Sequence, residues 1–320
     1  MFSITRSAAA ALIAGLTMSA GAALAEYPDR PIQMIVPYPA GGGTDIVART
    51  LAAELEKELG QPVSVVNRDG GGGIPGQTAI ARARPDGYTI GLIASDISLY
   101  APQGLAPLTY IDMTAIGQTN ELPGSVTVSA DSPYTSMEEL VAAIKANPRT
   151  IKGTGAAPGA SWHAGFLGLM FALGLSPEDV IWVPSQGGTK GHLDVAAGNS
   201  DFSTASLVEA RALIEGDKLR PLATMAAERV DIFSEVPTLK EQGIDYTYGL
   251  WHGVTGPKDI DPEALEVLNR AVEAAANSES FIKALEERGF KHQWRPGAEF
   301  EDFMQEDLGR MQAIFSRLSQ

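Results

Sequence analysis

Val36-Pro37-Tyr38-Pro39-Ala40-Gly41-Gly42-Gly43-Thr44-Asp45 runs from a strand end through three glycines into a helix. Before it, Ile32 to Val36 is apolar and β-branched, as in a short buried strand. After it, Val47, Leu51, Leu55 and Leu59 recur every four residues, on one helical face. Glycines at such a junction permit a tight turn and leave backbone N–H groups unshielded. Those groups lie at the positive end of the helix dipole, where an anion is favoured. The same residues also suit a plain αβ turn, so the loop reads either as an anion seat or as a connection. Recurrence of the device further along the chain favours the seat.

The first 25 residues have the pattern of an export leader: Arg6, a small apolar run from Ala8 to Met18, and Ala23-Leu24-Ala25 as a cleavage site. The expected mature chain starts at Glu26 and resides in the periplasm, with no stable membrane insertion. With no cysteine in the chain, disulfides, thiolate metal sites and lipoprotein acylation are excluded. A formal net charge of −15 argues against nucleic-acid partners, which need a basic face. It does not forbid an anionic ligand, because backbone dipoles act at short range.

Strand and helix alternate from residue 26 to about 122, which predicts an α/β unit with a largely parallel sheet. The alternation restarts at Ser125. Ser136 and Glu139 open a helix as a capping box. A second small-residue loop, Gly153 to Ser161, leads into a helix from Trp162. A third, Ser185-Gln186-Gly187-Gly188, precedes a helix over 189–197, and Ala205-Ser206 precedes another. Tyr246 to Thr255 reads as an extended return, and the remainder reads as helical. The fold class is therefore α/β, with two lobes joined by crossings near 120–128 and 246–255. Residues 26–122 and 250–320 form one lobe and residues 123–249 the other, with ligand-facing loops at the carboxyl ends of strands.

Signals for catalysis or metal binding are weak. His163, His192, His252 and His292 have no paired ligand spacing, and no nucleophile elbow or phosphate-loop signature occurs. No catalytic residue, metal or cofactor is expected. One motif competes: Gly71-Gly72-Gly73-Ile74-Pro75-Gly76 is a formal dinucleotide fingerprint, with Asp96 downstream. It supports an alternative reading as an exported oxidoreductase, although Pro75 disturbs the helix start.

Taken together, these stretches resemble the receptors of tripartite tricarboxylate transporters, also called Bug receptors. The resemblance rests on Tyr27-Pro28-Asp29-Arg30-Pro31-Ile32, Val36 to Asp45, Leu59-Gly60-Gln61-Pro62-Val63, Asn67-Arg68 and Pro85-Asp86-Gly87-Tyr88-Thr89. Ser161, His163, Gly187-Gly188 and Val236-Pro237-Thr238 extend it. It implies a type II periplasmic-binding-protein fold that acts as a monomer, closes on a small organic carboxylate and serves large and small membrane transporter subunits. The same fold also serves sensor receptors of membrane kinases. The resemblance implies ligand contacts from the loops at Tyr38 to Asp45, Ala160 to His163 and Ser185 to Thr189, and the candidate ligand-binding residues are Tyr38, Ala40, Gly41, Gly42, Thr44, Asp45, Ser95, Asp96, Ala160, Ser161, Trp162, His163, Gly187, Gly188 and Ser206.

Several of these carry specific expectations. Gly41 and Gly42 supply amides to a carboxylate, and Thr44 or Asp45 caps the helix. Trp162 either belongs to the core or offers a flat wall to an aromatic or extended ligand, and His163 either contacts ligand or orients its own loop. Three departures from the family pattern, at Trp162, at Ser185-Gln186, and at the acids Asp96 and Glu121, bear on ligand identity. Asp96 at a strand's carboxyl end either caps the next segment or points into the cleft with Glu121 nearby. In the cleft it would repel a polyanion, since two like charges about 4 Å apart cost about 4 kcal/mol at an effective dielectric of about 20. It would favour a ligand with fewer carboxylates and a hydroxyl or ammonium group.

Overall fold

The computed structural model describes residues 27–318; the leader lies outside the described residues. The chain opens with β1 (Ile32–Val36), α1 (Gly43–Leu59), β2 (Val63–Asn67), α2 (Ile74–Ala81), β3 (Thr89–Ala94), α3 (Ile97–Tyr100) and β4 (Met113–Pro123). It then builds a second unit from β5 (Ser125–Ser129), α4 (Met137–Ala146), β6 (Lys152–Thr154), α5 (Ser161–Ala172), β7 (Ile181–Trp182), α6 (Gly188–Ala196), β8 (Phe202–Ser203), α7 (Leu207–Glu215) and β9 (Leu219–Thr224). It returns through β10 (Gly249–Pro257), α8 (Pro262–Ala276), α9 (Glu279–Glu286), β11 (Lys291–Pro296) and α10 (Gly297–Arg317).

Two sheets result, ordered β11-β4-β10-β3-β1-β2 and β7-β6-β8-β5-β9. In the first, β1 pairs parallel with β2 and β3, whereas β10 runs antiparallel to β3 and β4, and β11 antiparallel to β4. The sheet is thus mixed, not largely parallel, because the returning chain inserts β10 antiparallel between β3 and β4 and adds β11 at the edge beside β4. β11 also corrects the all-helical expectation for the last segment. Its residues, Lys291-His292-Gln293-Trp294-Arg295-Pro296, lack an apolar alternation because an edge strand need bury only part of one face.

Packing follows the side-chain alternation of β1. Ile32, Met34 and Val36 join the buried stripe of α1, comprising Val47, Ala48, Leu51 and Leu55, together with Leu268 and Val272 of α8. Ile35 faces the other way, onto Ile80 of α2, Trp251 of β10 and Phe300 of α10. Each fully buried large aliphatic contributes roughly 1.5–3 kcal/mol, so this two-sided cover fixes the register of the strand that leads into the glycine loop. In the second unit Phe166 of α5 stacks on Trp182, with ring centroids 4.6 Å apart, and lies 6.3 Å from Phe202.

The lobes meet where β4 passes into β5 and where the chain returns at Tyr248. Gly124 N–H donates to Tyr248 O at 2.9 Å, Met225 N–H to Gly124 O at 2.8 Å, and Tyr248 N–H to Met225 O at 3.0 Å. Gly249 pairs with Pro123. The two crossings are therefore side by side and hydrogen-bonded.

Gly76 packs the formal fingerprint against the first loop. A Cβ there would lie 2.5 Å from Arg68 O and 2.7 Å from Pro37 Cα, both backbone atoms that cannot rotate away. This close approach accounts for Gly76, and Tyr100 O–H donates to Gly72 O at 2.6 Å, so the turn is anchored at Gly72 and Gly76 although Gly71, Gly72 and Pro75 are exposed. Gly76→Ala should lower the unfolding free energy by roughly 1–3 kcal/mol in urea melts. An unchanged midpoint would show that the two loops do not brace each other.

Candidate functional site

The glycine loop after β1 is pinned from within. Gly41 adopts φ +79° and its N–H donates to Asp45 Oδ2 at 2.8 Å. The same carboxylate accepts Arg49 Nε at 3.0 Å and Asn67 Nδ2 at 2.8 Å, and Asn67 also donates to Tyr38 O at 3.0 Å. Burial alone would raise the Asp45 pKa, but the hydrogen bonds from Arg49, Gly41 and Asn67 outweigh it and hold the group below its ordinary value. Asp45 is a structural peg. Neither it nor Thr44 caps α1: the N-cap is Gly42, and no side chain bonds there. Gly42 N–H is directed at Pro39 O, 3.3 Å away. The amides of Gly43, Thr44 and Asp45 have no hydrogen-bond partner among the described residues. The open donors at the head of this 17-residue helix thus begin one residue later than Gly41-Gly42. Ala40 is exposed beside them.

Thr44 is oriented by residues that the sequence did not single out for this role. Its Oγ1 lies 3.0 Å from His252 Nε2, and Asn120 Nδ2 lies 3.0 Å from His252 Nδ1. Thr119 Oγ1 lies within reach of both Asn120 Oδ1, at 3.0 Å, and His252 O, at 3.3 Å, and the Asn120 amide presents Nδ2 to the ring. Asn120 therefore donates to Nδ1, Nε2 carries the ring proton, and Thr44 accepts it while keeping its own hydrogen free. Burial pushes the His252 pKa down to about 4, so the ring is neutral at pH 7. This chain was invisible in sequence because its members lie on β4 and β10, far apart in the chain.

Asp96 follows β3 and joins the lobes. Tyr38 O–H donates to its Oδ2 at 2.8 Å, and Ser161 O–H at the start of α5 donates to its Oδ1 at 2.9 Å. It makes no side-chain cap on α3. Burial raises its pKa, against the hydrogen bonds from Tyr38 and Ser161. Glu121 is elsewhere: it pairs with Arg295 at 2.9 Å and lines a cavity of about 160 Å³ beside the crossings, with Tyr248, Trp251 and Phe303. Ser95, next to Asp96, is buried and its hydroxyl has no partner among the described residues.

On the second lobe, Ala160 is the extended N-cap of α5, and Ser161 begins the helix. Trp162 is core, 4 % exposed and edge-on to Tyr248. His163 orients its own loop: Nδ1 accepts Gly159 N–H at 3.0 Å, and burial lowers its pKa to about 4. Gly187, at φ +107°, is the N-cap of α6, and Gly188 opens that helix. An unforeseen carboxylate occupies this helix head. Glu209 of α7 lies against the position a Gly188 Cβ would take, and it accepts Ser206 N–H at 3.3 Å. Ser206 itself caps α7. Burial pushes the Glu209 pKa up to about 7, with the amides of Ser206, Thr189 and Gly188 and the Trp162 indole pulling the other way. Only the pattern Ser206-Leu207-Val208-Glu209, a capping box, hinted at its position.

Among the described residues, no cluster of three or more His, Cys, Asp or Glu could hold a metal ion, and no helix is long and apolar enough to cross a membrane. Two α/β lobes, two adjacent crossings and two helix heads, α1 and α5, linked through Asp96, define a bilobal solute-binding protein. Residues 47–319 match the family described as the tripartite tricarboxylate transporter family receptor, TctC. The chain is 32 % identical to Protein BugT of Bordetella pertussis over 268 residues, covering 82 % of this chain and 81 % of BugT. A TctC solute-binding protein from Polaromonas superposes with a TM-score of 0.81 at 32 % identity, covering 91 % of this chain and 99 % of that one. MatC from Rhodopseudomonas palustris, with bound malate, gives 0.74 at 25 % identity, covering 90 % and 100 %. The chain belongs to the TctC family of periplasmic solute-binding receptors, which is not an enzyme family.

The raised Glu209 pKa has a defined effect on stability. The folded protein holds this proton more tightly than the unfolded chain, whose Glu ionises near 4.5. The resulting stabilisation is present below pH 4.5 and is lost as pH rises through about 7. Glu209→Gln should therefore gain on the wild type progressively from pH 4.5 to 7, by up to about 3 kcal/mol. Buried histidines act in the opposite direction but are common to both proteins. Melts in which the difference stays flat across that range would contradict the assignment.

Proposed function

We propose that this receptor captures a small organic carboxylate between its lobes and delivers it to the membrane subunits of a tripartite transporter. The observation that carries the reading is the row of open amides at Gly43, Thr44 and Asp45, flanked by the Thr44 hydroxyl, at the head of the helix whose preceding loop Tyr38 ties to Asp96 and through it to Ser161 of the other lobe. A helix head with unpaired N–H groups stabilises a carboxylate by dipole and hydrogen bonds together. The malate bound to MatC is consistent with this ligand class.

In this assignment the first-lobe contacts come from the Gly43–Asp45 amides, the Thr44 hydroxyl and the Tyr38 region. Ser161 and the head of α5 close from the other side. The Asp45 carboxylate, Trp162, His163, Gly187, Gly188 and Ser206 support the cleft without touching ligand. Closure about the paired crossings excludes water and strengthens the few polar contacts.

Thermal-shift screening of mono- and dicarboxylates tests the reading, with calorimetry for hits. A true ligand at about 100 times its dissociation constant adds about 2.7 kcal/mol of stability. Thr44→Val keeps the shape but removes both the hydroxyl's bond to ligand and the one it accepts from His252, and should weaken a hit by at least tenfold, about 1.4 kcal/mol. A panel without any shift would overturn the reading, and full affinity in Thr44→Val would remove Thr44 from the site.

A further inference from the structure

We infer that the ligand carries a protonated amine as well as its carboxylate, and that Asp96 is the residue that receives the amine. The inference rests on the proposed carboxylate-binding function and narrows its ligand class to amino acids and related aminocarboxylates.

The first observation is a missing counter-charge. Three other inward-facing carboxylates have a cation: Asp45 has Arg49, Asp307 has Arg310, and Glu121 has Arg295, whereas Glu209, like Asp96, is without one among the described residues. Asp96, whose carboxylate is enclosed at the junction of the lobes, has no Lys, Arg or His within ion-pair distance among the described residues. An enclosed carboxylate is stable as an ion only when a partner charge and hydrogen bonds replace water.

The second observation is an excess of acceptors around it. The hydroxyl hydrogens of Tyr38 and Ser161 are both engaged by Asp96, and that of Tyr100 by Gly72 O. Gln77 Nε2 is 2.9 Å from Tyr100 Oη and 3.4 Å from Tyr38 Oη. With both tyrosine hydrogens already engaged, the amide must present its N–H groups to these oxygens, which leaves Gln77 Oε1 without a donor. Gln77 is fully buried, and Oε1 has no partner among the described residues; the buried Ser95 hydroxyl beside Asp96 has none either, and it can accept or donate. A second carboxylate would add acceptors to acceptors. An ammonium brings three donors and the missing positive charge. The open donors of the Gly43–Asp45 amides remain for the ligand's own carboxylate.

The test is calorimetry on the full chain with matched pairs: aspartate and succinate, glutamate and glutarate, γ-aminobutyrate and butyrate, β-alanine and propionate. The expected result is that an amino compound binds the wild type at least tenfold more tightly than its desamino partner. Asp96→Asn should cut the affinity for that compound by tenfold to a hundredfold and leave the desamino partner unchanged or tighter. Equal or tighter binding of the desamino acids by the wild type overturns the inference while leaving the carboxylate reading intact, and needs no variant. An equal loss for both members in Asp96→Asn also overturns it, because Asp96 would then act only as a bridge between lobes. Binding of neither series overturns both readings.

Discussion

Both lobes are referred to each other through Gly124. Its N–H and C=O are bonded to Tyr248 and Met225, and a side chain there would meet Met225 Sδ at 3.0 Å and Thr204 O at 3.1 Å. The strands on either side continue directly into the two sheets, so small changes of dihedral at this point rotate one sheet against the other. The distance between the heads of α1 and α5, and hence the shape of the cleft, depends on that geometry.

Three protein carboxylates organise the candidate site from behind. Asp45 holds the first loop from inside, Asp96 spans the lobes, and Glu209 sits at the head of α6. Two of the three helix heads that the sequence offered as anion seats therefore differ in kind. The head of α1 is open, whereas that of α6 already faces an acid of its own chain. Both the open donors of α1 and the acceptors around Asp96 thus belong to the first lobe, with Ser161 reaching them from the second.

Much of the fold was legible in the sequence because its signals are local. The period-four stripe of α1, the apolar run of β1 and the glycines between them depend only on neighbours in the chain, and the family resemblance rests on the same stretches. The antiparallel half of the first sheet was not legible, since pairing of β10 with β3 and β4 joins residues more than a hundred positions apart. In the cleft, Asp96 was singled out, but its hydroxyl partners were not identified, and Glu121 was wrongly placed beside it. The Thr119–Asn120–His252–Thr44 relay and the position of Glu209 depend on tertiary contacts that no spacing rule encodes.

The last helix adds a mechanical constraint. α10 packs along β4 and α3 of the first lobe, yet its end leans on the second, where the Arg317 guanidinium lies 3.8 Å from the Phe171 ring centroid of α5. Two neighbouring strands alone make a pivot line with one free swing. A contact placed off that line acts as a stop: one sense of rotation compresses it and the other peels it apart. Any rotation of one lobe against the other would therefore meet unequal resistance in its two senses, and the Arg317–Phe171 contact would set the difference.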